Sequence, residues 1–140
     1  MSADLKHIKD WIDKADHDLG SAKIIFIHIP EYFDTIAFHC QQAVEKYIKS
    51  ALIFYEIEFL RSHDLIYLLD LLSQKNDIDE NTFNMAIKLN GFSVQIRYPN
   101  KIIFLSKEEL EYAINIAEYF RTYALQITGI NDNAANNLQP

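Results

Sequence analysis

Only one cysteine, three glycines and three prolines occur among the 140 residues, and each scarcity closes off a class of protein. A single thiol, Cys40, rules out an intrachain disulfide and a cysteine-rich zinc site, and it predicts a reducing, cytoplasmic home. Set inside an apolar helical pattern, Cys40 reads as a packing residue rather than a reactive thiol. Few glycines and prolines leave little punctuation for a β fold. No apolar run is long enough to span a bilayer, Ile24-Ile25-Phe26-Ile27 included, and Met1-Ser2-Ala3-Asp4 lacks a cationic region followed by an apolar stretch. No membrane partner is expected. Cations are also in short supply: 13 lysines and arginines face 20 acids, giving a net charge of −7, which disfavours indiscriminate binding to nucleic acid.

The apolar residues that are present, 49% of the chain, recur at spacings of three and four, so the chain reads as all α. Leu5, Ile8, Ile12, Ala15, Leu19, Ala22 and Phe26 predict a first helix over roughly Asp4 to Ile27, with Ser2 or Asp4 as cap and Pro30 beyond its end. Ala37, Cys40, Val44, Tyr47, Ala51 and Tyr55 predict a second from about Phe33 to Phe59, with Asp34 as an anion at its N-terminus. A short third helix should run from His63 or Asp64 to Leu72. After the polar link Gln74 to Asp79, a fourth should run from about Asn81 to Leu89, closed by Asn90-Gly91. Phe92 to Leu105 loses the helical period and contains Pro99, which predicts an irregular loop. Ser106 and Glu109 have capping-box spacing and predict a last helix from Lys107 to about Ile127. One domain over residues 1–130 accounts for this length. The tail 131–140 holds too few large apolar groups to offset its ordering entropy and should be frayed or disordered.

Three groups of residues are candidates for function. On the second helix His39, Gln42, Lys46, Lys49 and Ile53 form a stripe opposite the apolar face. It reads either as a groove wall or dimer contact where Gln42 bonds an amide or base edge and the lysines neutralise phosphate, or as a solvated face with Glu45 and Lys49 as an ordinary four-apart ion pair. Arg61, His63 and Asp64 cluster at the next junction. A histidine beside a carboxylate suits proton transfer, and equally either residue suits a helix cap. Between Thr82 and Lys107 there are four cations, Lys88, Arg97, Lys101 and Lys107, and no carboxylate. That asymmetry suggests an anion site in which Arg97 grips phosphate and Tyr98 stacks on a base; the alternative is an Arg97 that anchors the loop with Tyr98 packed beneath it. His7, His17 and His28 lack metal-ligand spacing, and no G-x-S-x-G turn, P-loop or paired-carboxylate pattern is present, so neither a metal nor a cofactor is expected.

The run Phe38-His39-Cys40-Gln41-Gln42-Ala43-Val44-Glu45-Lys46-Tyr47-Ile48-Lys49-Ser50-Ala51-Leu52, followed by His63-Asp64-Leu65, resembles the core of HEPN domains. Trp11, Ala15, Asp18, Leu19 and Ala22 upstream, and Arg97-Tyr98-Pro99, Ala113 and Ala117 downstream, extend the resemblance over most of the chain. It implies an up-and-down bundle of four to five helices, commonly homodimeric. The family it points to contains ribonucleases of toxin–antitoxin pairs, nucleotide-binding modules and partners of minimal nucleotidyltransferases. Its ribonucleases carry an arginine followed, after four to six residues, by a histidine. Here the corresponding positions after Arg97 are Ile102, Ile103 and Phe104, and those after Arg61 and Arg121 also lack histidine, so RNA cleavage lacks its principal proton carrier. The expectation is a noncatalytic nucleotide- or phosphate-binding module with a nucleotidyltransferase-type partner. The alternative is an RNase toxin with an atypical site built from Arg97, His63 and Asp64. Phe54, Ile57, Phe92, Ile102, Ile103 and Phe104 fall outside the main stripes, and a second copy of the chain would cover some of them.

Overall fold

The computed structural model describes residues 4–96 and 104–131, and among these described residues there are five helices and no strand. The helices are α1 (Leu5–His28), α2 (Phe33–Phe54), α3 (Leu65–Leu72), α4 (Glu80–Ile96) and α5 (Lys107–Thr128). Arg97, Tyr98 and Lys101, and the expected tail beyond Asn131, lie outside the described residues.

Local chemistry sets most of the boundaries. Asp4 caps α1 by accepting the Lys6 amide at 3.0 Å, and Asp64 caps α3 through the Ile66 amide at 3.0 Å. Asp79 does the same for α4, taking both the amide and the hydroxyl of Thr82 at 2.7 Å. Ser106 and Glu109 close a reciprocal capping box at the head of α5. Gly129, with φ of 70°, ends that helix in the left-handed conformation that a glycine adopts without a Cβ clash.

Two boundaries correct the sequence reading. Helix α2 stops at Phe54 rather than Phe59, because Glu56 takes a left-handed φ of 57° that turns the chain away. Helix α4 continues through Asn90-Gly91 to Ile96, so the expected irregular segment is helical over its first five residues. Gly91 has no positive φ, and Phe92 is buried in the core one residue later. Burying that ring, worth about 1.5–3 kcal/mol, outweighs roughly 1 kcal/mol for a glycine inside a helix.

Helix α2 is the axis of the molecule. It touches all four other helices, and Ile36, Ala37, Cys40, Ala43, Val44, Tyr47, Ile48, Ala51 and Leu52 bury it nearly all round. Helix α1 lies antiparallel to it, since Asp18, Asp16 and Trp11 meet His39, Tyr47 and Lys49 in turn. Helix α5 runs parallel to α2, with Phe104 against Phe33 at one end and Tyr123 beside Tyr55 at the other. Its apolar stripe Leu110, Ala113, Ala117, Phe120 and Ala124 completes the core. Cys40 is fully buried, and desolvation pushes its thiol up to about 12, which makes it a packing residue. Phe54 and Ile57 pack against this same core and Phe92 lies inside it. These three residues therefore need no second copy of the chain to cover them. Among the described residues no helix is long and apolar enough to cross a membrane.

Candidate functional site

The polar stripe of α2 does not face solvent. Lys49 and Glu45 keep only 8% and 5% of their side-chain surface exposed, and the two bond at 3.0 Å. The Lys49 ammonium sits 5.6 Å from the centre of the Trp11 ring and 5.7 Å from that of Phe59, between two aromatic walls. The reading of this pair as an ordinary surface ion pair is therefore corrected, because α1 and the segment after α2 close over it. Lys46 is likewise engaged, donating to Asp18 of α1, whose other oxygen lies 2.9 Å from His39. Two residues earlier on α1, Asp16 receives the Tyr47 hydroxyl and the Arg121 guanidinium, tying α1, α2 and α5 together. Burial and the Asp16 carboxylate raise the Tyr47 phenol far above its ordinary range, so it serves as a permanent donor. Gln42 is half-buried, with a long 3.5 Å contact to Gln41.

His63 joins this network from the α2–α3 link. Its Nδ1 lies 2.9 Å from the Glu45 oxygen that Lys49 does not use, and its carbonyl accepts the Gln41 side-chain amide at 2.8 Å. The imidazole itself is 61% exposed. Backbone and ring are thus both fixed by α2 while Nε2 points away from the buried acid, an arrangement able to hold or pass a proton at the surface. Asp64 does not complete a dyad with His63. It caps α3 and accepts the Asn90 amide at 3.0 Å, clamping α4 to the same junction. The structure therefore separates the two residues that sequence proximity had paired. It supplies Glu45 as the histidine's actual partner, eighteen positions upstream.

An outward-facing stripe pairs Lys49 with Glu45 but leaves out what encloses them, the rings of Trp11 and Phe59, and what Gln41 bonds. One signal for them was present: Ala43, Val44, Tyr47, Ile48, Ala51 and Leu52 surround the polar positions on every side, a pattern of a helix buried all round.

The cations of the acid-free segment behave differently. Lys88 and Lys107 are both exposed, and neither forms an ion pair with a described residue. Lys88 lies 5.5 Å from the Phe92 ring. Lys107 lines an open cleft of about 360 Å³ with Pro30, Phe33, Phe104, Leu105, Ser106 and Leu110, and the acidic Glu31 lines it as well. Phe104 is 76% exposed there, its ring 5.5 Å from that of Phe33. Among the described residues no group of three or more histidine, cysteine or acidic side chains is placed to hold a metal ion.

Comparison with known proteins bears on this architecture directly. The family model described as HEPN domain matches residues 8–127. TT1696 from Thermus thermophilus superposes with a TM-score of 0.72 at 21% identity, covering 86% of this chain and 97% of that one. A HEPN domain protein from Thermotoga maritima gives a TM-score of 0.54 at 21% identity, covering 92% and 99%. At this identity the two structures speak to the fold. No curated protein matches the chain.

Proposed function

From the premise that this chain belongs to the HEPN domain family, we propose that it is a noncatalytic module that binds a phosphate-bearing ligand, of which a nucleotide is the first class to test. It does so beside a nucleotidyltransferase-type protein partner. The observation that carries this reading is the division of the cations. Lys46 and Lys49 are neutralised inside the protein by Asp18 and Glu45. Thr82 to Lys107 carries Lys88, Arg97, Lys101 and Lys107 with no acid among them. In a chain of net charge −7, that segment is where an anion finds a favourable potential. Gln42 remains as a neutral hydrogen-bonding group on α2. The missing Arg-x(4–6)-His pattern supports binding without RNA cleavage.

Calorimetric titration with ATP, GTP and their monophosphates tests this. Binding should weaken by about 1–3 kcal/mol in Arg97→Ala and in Lys107→Ala, the range for a charge-assisted contact. Failure of every nucleotide to bind at millimolar concentration would refute it. For the partner, co-expression with a nucleotidyltransferase encoded beside this chain should yield one complex on size exclusion, and separate elution at micromolar concentration counts against the pairing. The reading includes a homodimer. Ile27, Tyr32 and Phe104 are exposed at the end where α1 hands over to α2, and sedimentation equilibrium should report a dimer at micromolar concentration.

One specific observation favours a second reading. An exposed imidazole oriented by a buried carboxylate is the arrangement an acid–base catalyst needs, and His63 on Glu45 has it. As an RNase toxin the chain would cleave RNA and lose that activity in His63→Ala; purified protein that leaves RNA intact removes this reading.

A further inference from the structure

At the end of the bundle remote from Phe33 and Phe104, a second open cleft of about 360 Å³ is lined by Tyr55, Asn76, Tyr123, Gln126 and Ile127. The 22 residues of α2 separate the two clefts, roughly 33 Å at 1.5 Å per residue. No lining side chain is charged, yet four of the five carry hydrogen-bonding groups. Asn76 donates its amide to the Tyr55 hydroxyl at 2.8 Å. That bond fixes the carboxamide, leaves its Oδ1 as an acceptor, and leaves the Tyr55 proton to donate. Gln126 is exposed and offers a complete amide edge. Tyr123 is half-buried, its ring 6.1 Å from that of Tyr119 and 6.3 Å from that of Phe120, so its face is held in place.

The electrostatics select against anions. Burial, then Tyr119, Tyr55 and Asp79, raise the Tyr123 phenol above its ordinary range, so it keeps its proton and donates. Asp79 itself is held below the usual carboxylate range by the Thr82 hydroxyl and amide. A phosphate entering here would meet no cation in the lining and a carboxylate nearby.

We propose that this cleft binds an uncharged planar heterocycle with donor and acceptor groups on its edge, either a nucleobase or an aromatic amide. The volume lies within the 300–1,000 Å³ usual for small-ligand sites. Carboxamides pair with such edges in two-bond geometry, and a tyrosine ring supplies a stacking face. This site is independent of the phosphate reading above and requires neither Arg97 nor Lys107.

The test is titration of the full chain with adenine, nicotinamide and AMP, read as amide NMR shifts of Gln126 and Ile127. Adenine or nicotinamide should move these signals saturably at millimolar concentration or below, and whichever binds identifies the source. Asn76→Ala and Gln126→Ala should each weaken binding about 3- to 10-fold, as loss of one hydrogen bond predicts. Gln126 is exposed, so its variant should keep the parent melting temperature and isolates the ligand contact. Lys107→Ala should leave the adenine titration unchanged. The proposal is overturned if neither neutral probe shifts these amides at millimolar concentration, if Gln126→Ala and Asn76→Ala bind like the parent, or if AMP binds at these amides as tightly as adenine.

Discussion

Replacing Lys49 by methionine keeps its stem between Trp11 and Phe59 but deletes the charge facing Glu45. The carboxylate, 5% exposed, then retains His63 on one oxygen and has nothing on the other. Breaking a buried ion pair from one side costs about 3–5 kcal/mol, because the penalty is the desolvation of the remaining charge rather than the value of the lost bond. Glu45→Leu should cost a similar amount, since it strands an ammonium between two rings whose attraction contributes about 0.5–2 kcal/mol. Against a typical total of about 5–15 kcal/mol, either change removes a large share of the stability. The double variant Glu45→Leu/Lys49→Met removes both charges and should recover to within about 1 kcal/mol of the parent or exceed it. Urea denaturation of the four proteins measures this as a double-mutant cycle. Single variants within about 1 kcal/mol of the parent, or a double variant as unstable as the two losses added, would refute the claim that this pair is desolvated and mutually dependent.

Cys40 should resist thiol reagents at pH 8 in the folded protein and react fully in denaturant, as a disulfide-exchange assay would report. With the thiol raised from 9.0 to about 12, the folded state keeps a proton that the unfolded chain releases above about pH 9. Its contribution to stability is therefore fully present below that pH and declines between about 9 and 12, measurable as a falling urea midpoint. Asp64→Ala removes the α3 cap and the clamp on Asn90 together and should cost about 1–2 kcal/mol. Asn90→Ala, which spares the cap, should cost less in the same denaturation assay.

What the sequence revealed was whatever neighbours within one helical turn decide. Asp4, Asp64 and the Ser106–Glu109 box act on amides two or three residues away, so their roles are written in local order. The end of α4 is not written that way. Asn90-Gly91 reads as a stop, and only the place waiting for Phe92 in the core carries the helix past it. The turn at Glu56 is not legible in the sequence, because a left-handed glutamate has no compositional mark. The burial of the α2 stripe is hidden for a related reason. Whether Lys46 and Lys49 face water depends on Asp18, 28 residues before Lys46, and on Trp11, still earlier on α1, and that meeting is made by the antiparallel turn between α1 and α2. His63 and Asp64 mark a junction in the sequence, but their partners, Glu45 and Asn90, come from different helices that spacing along the chain does not connect.

The central placement of α2 has a consequence for how this molecule is made in the cell. Helix α1 can fold back on α2 as soon as both exist, because the two are consecutive. Another side of α2 is covered by α5, and the Asp16–Arg121 contact that locks α1 to α5 joins residues 105 positions apart. During synthesis at about 5–20 residues per second, that side stays uncovered for several seconds after α2 has emerged. A nascent chain stalled before Leu110 would leave the side of α2 that α5 covers open to water, a surface that chaperones bind and that other nascent copies can stick to. Translation speed through α3 and α4 therefore sets how long the growing protein is exposed to aggregation.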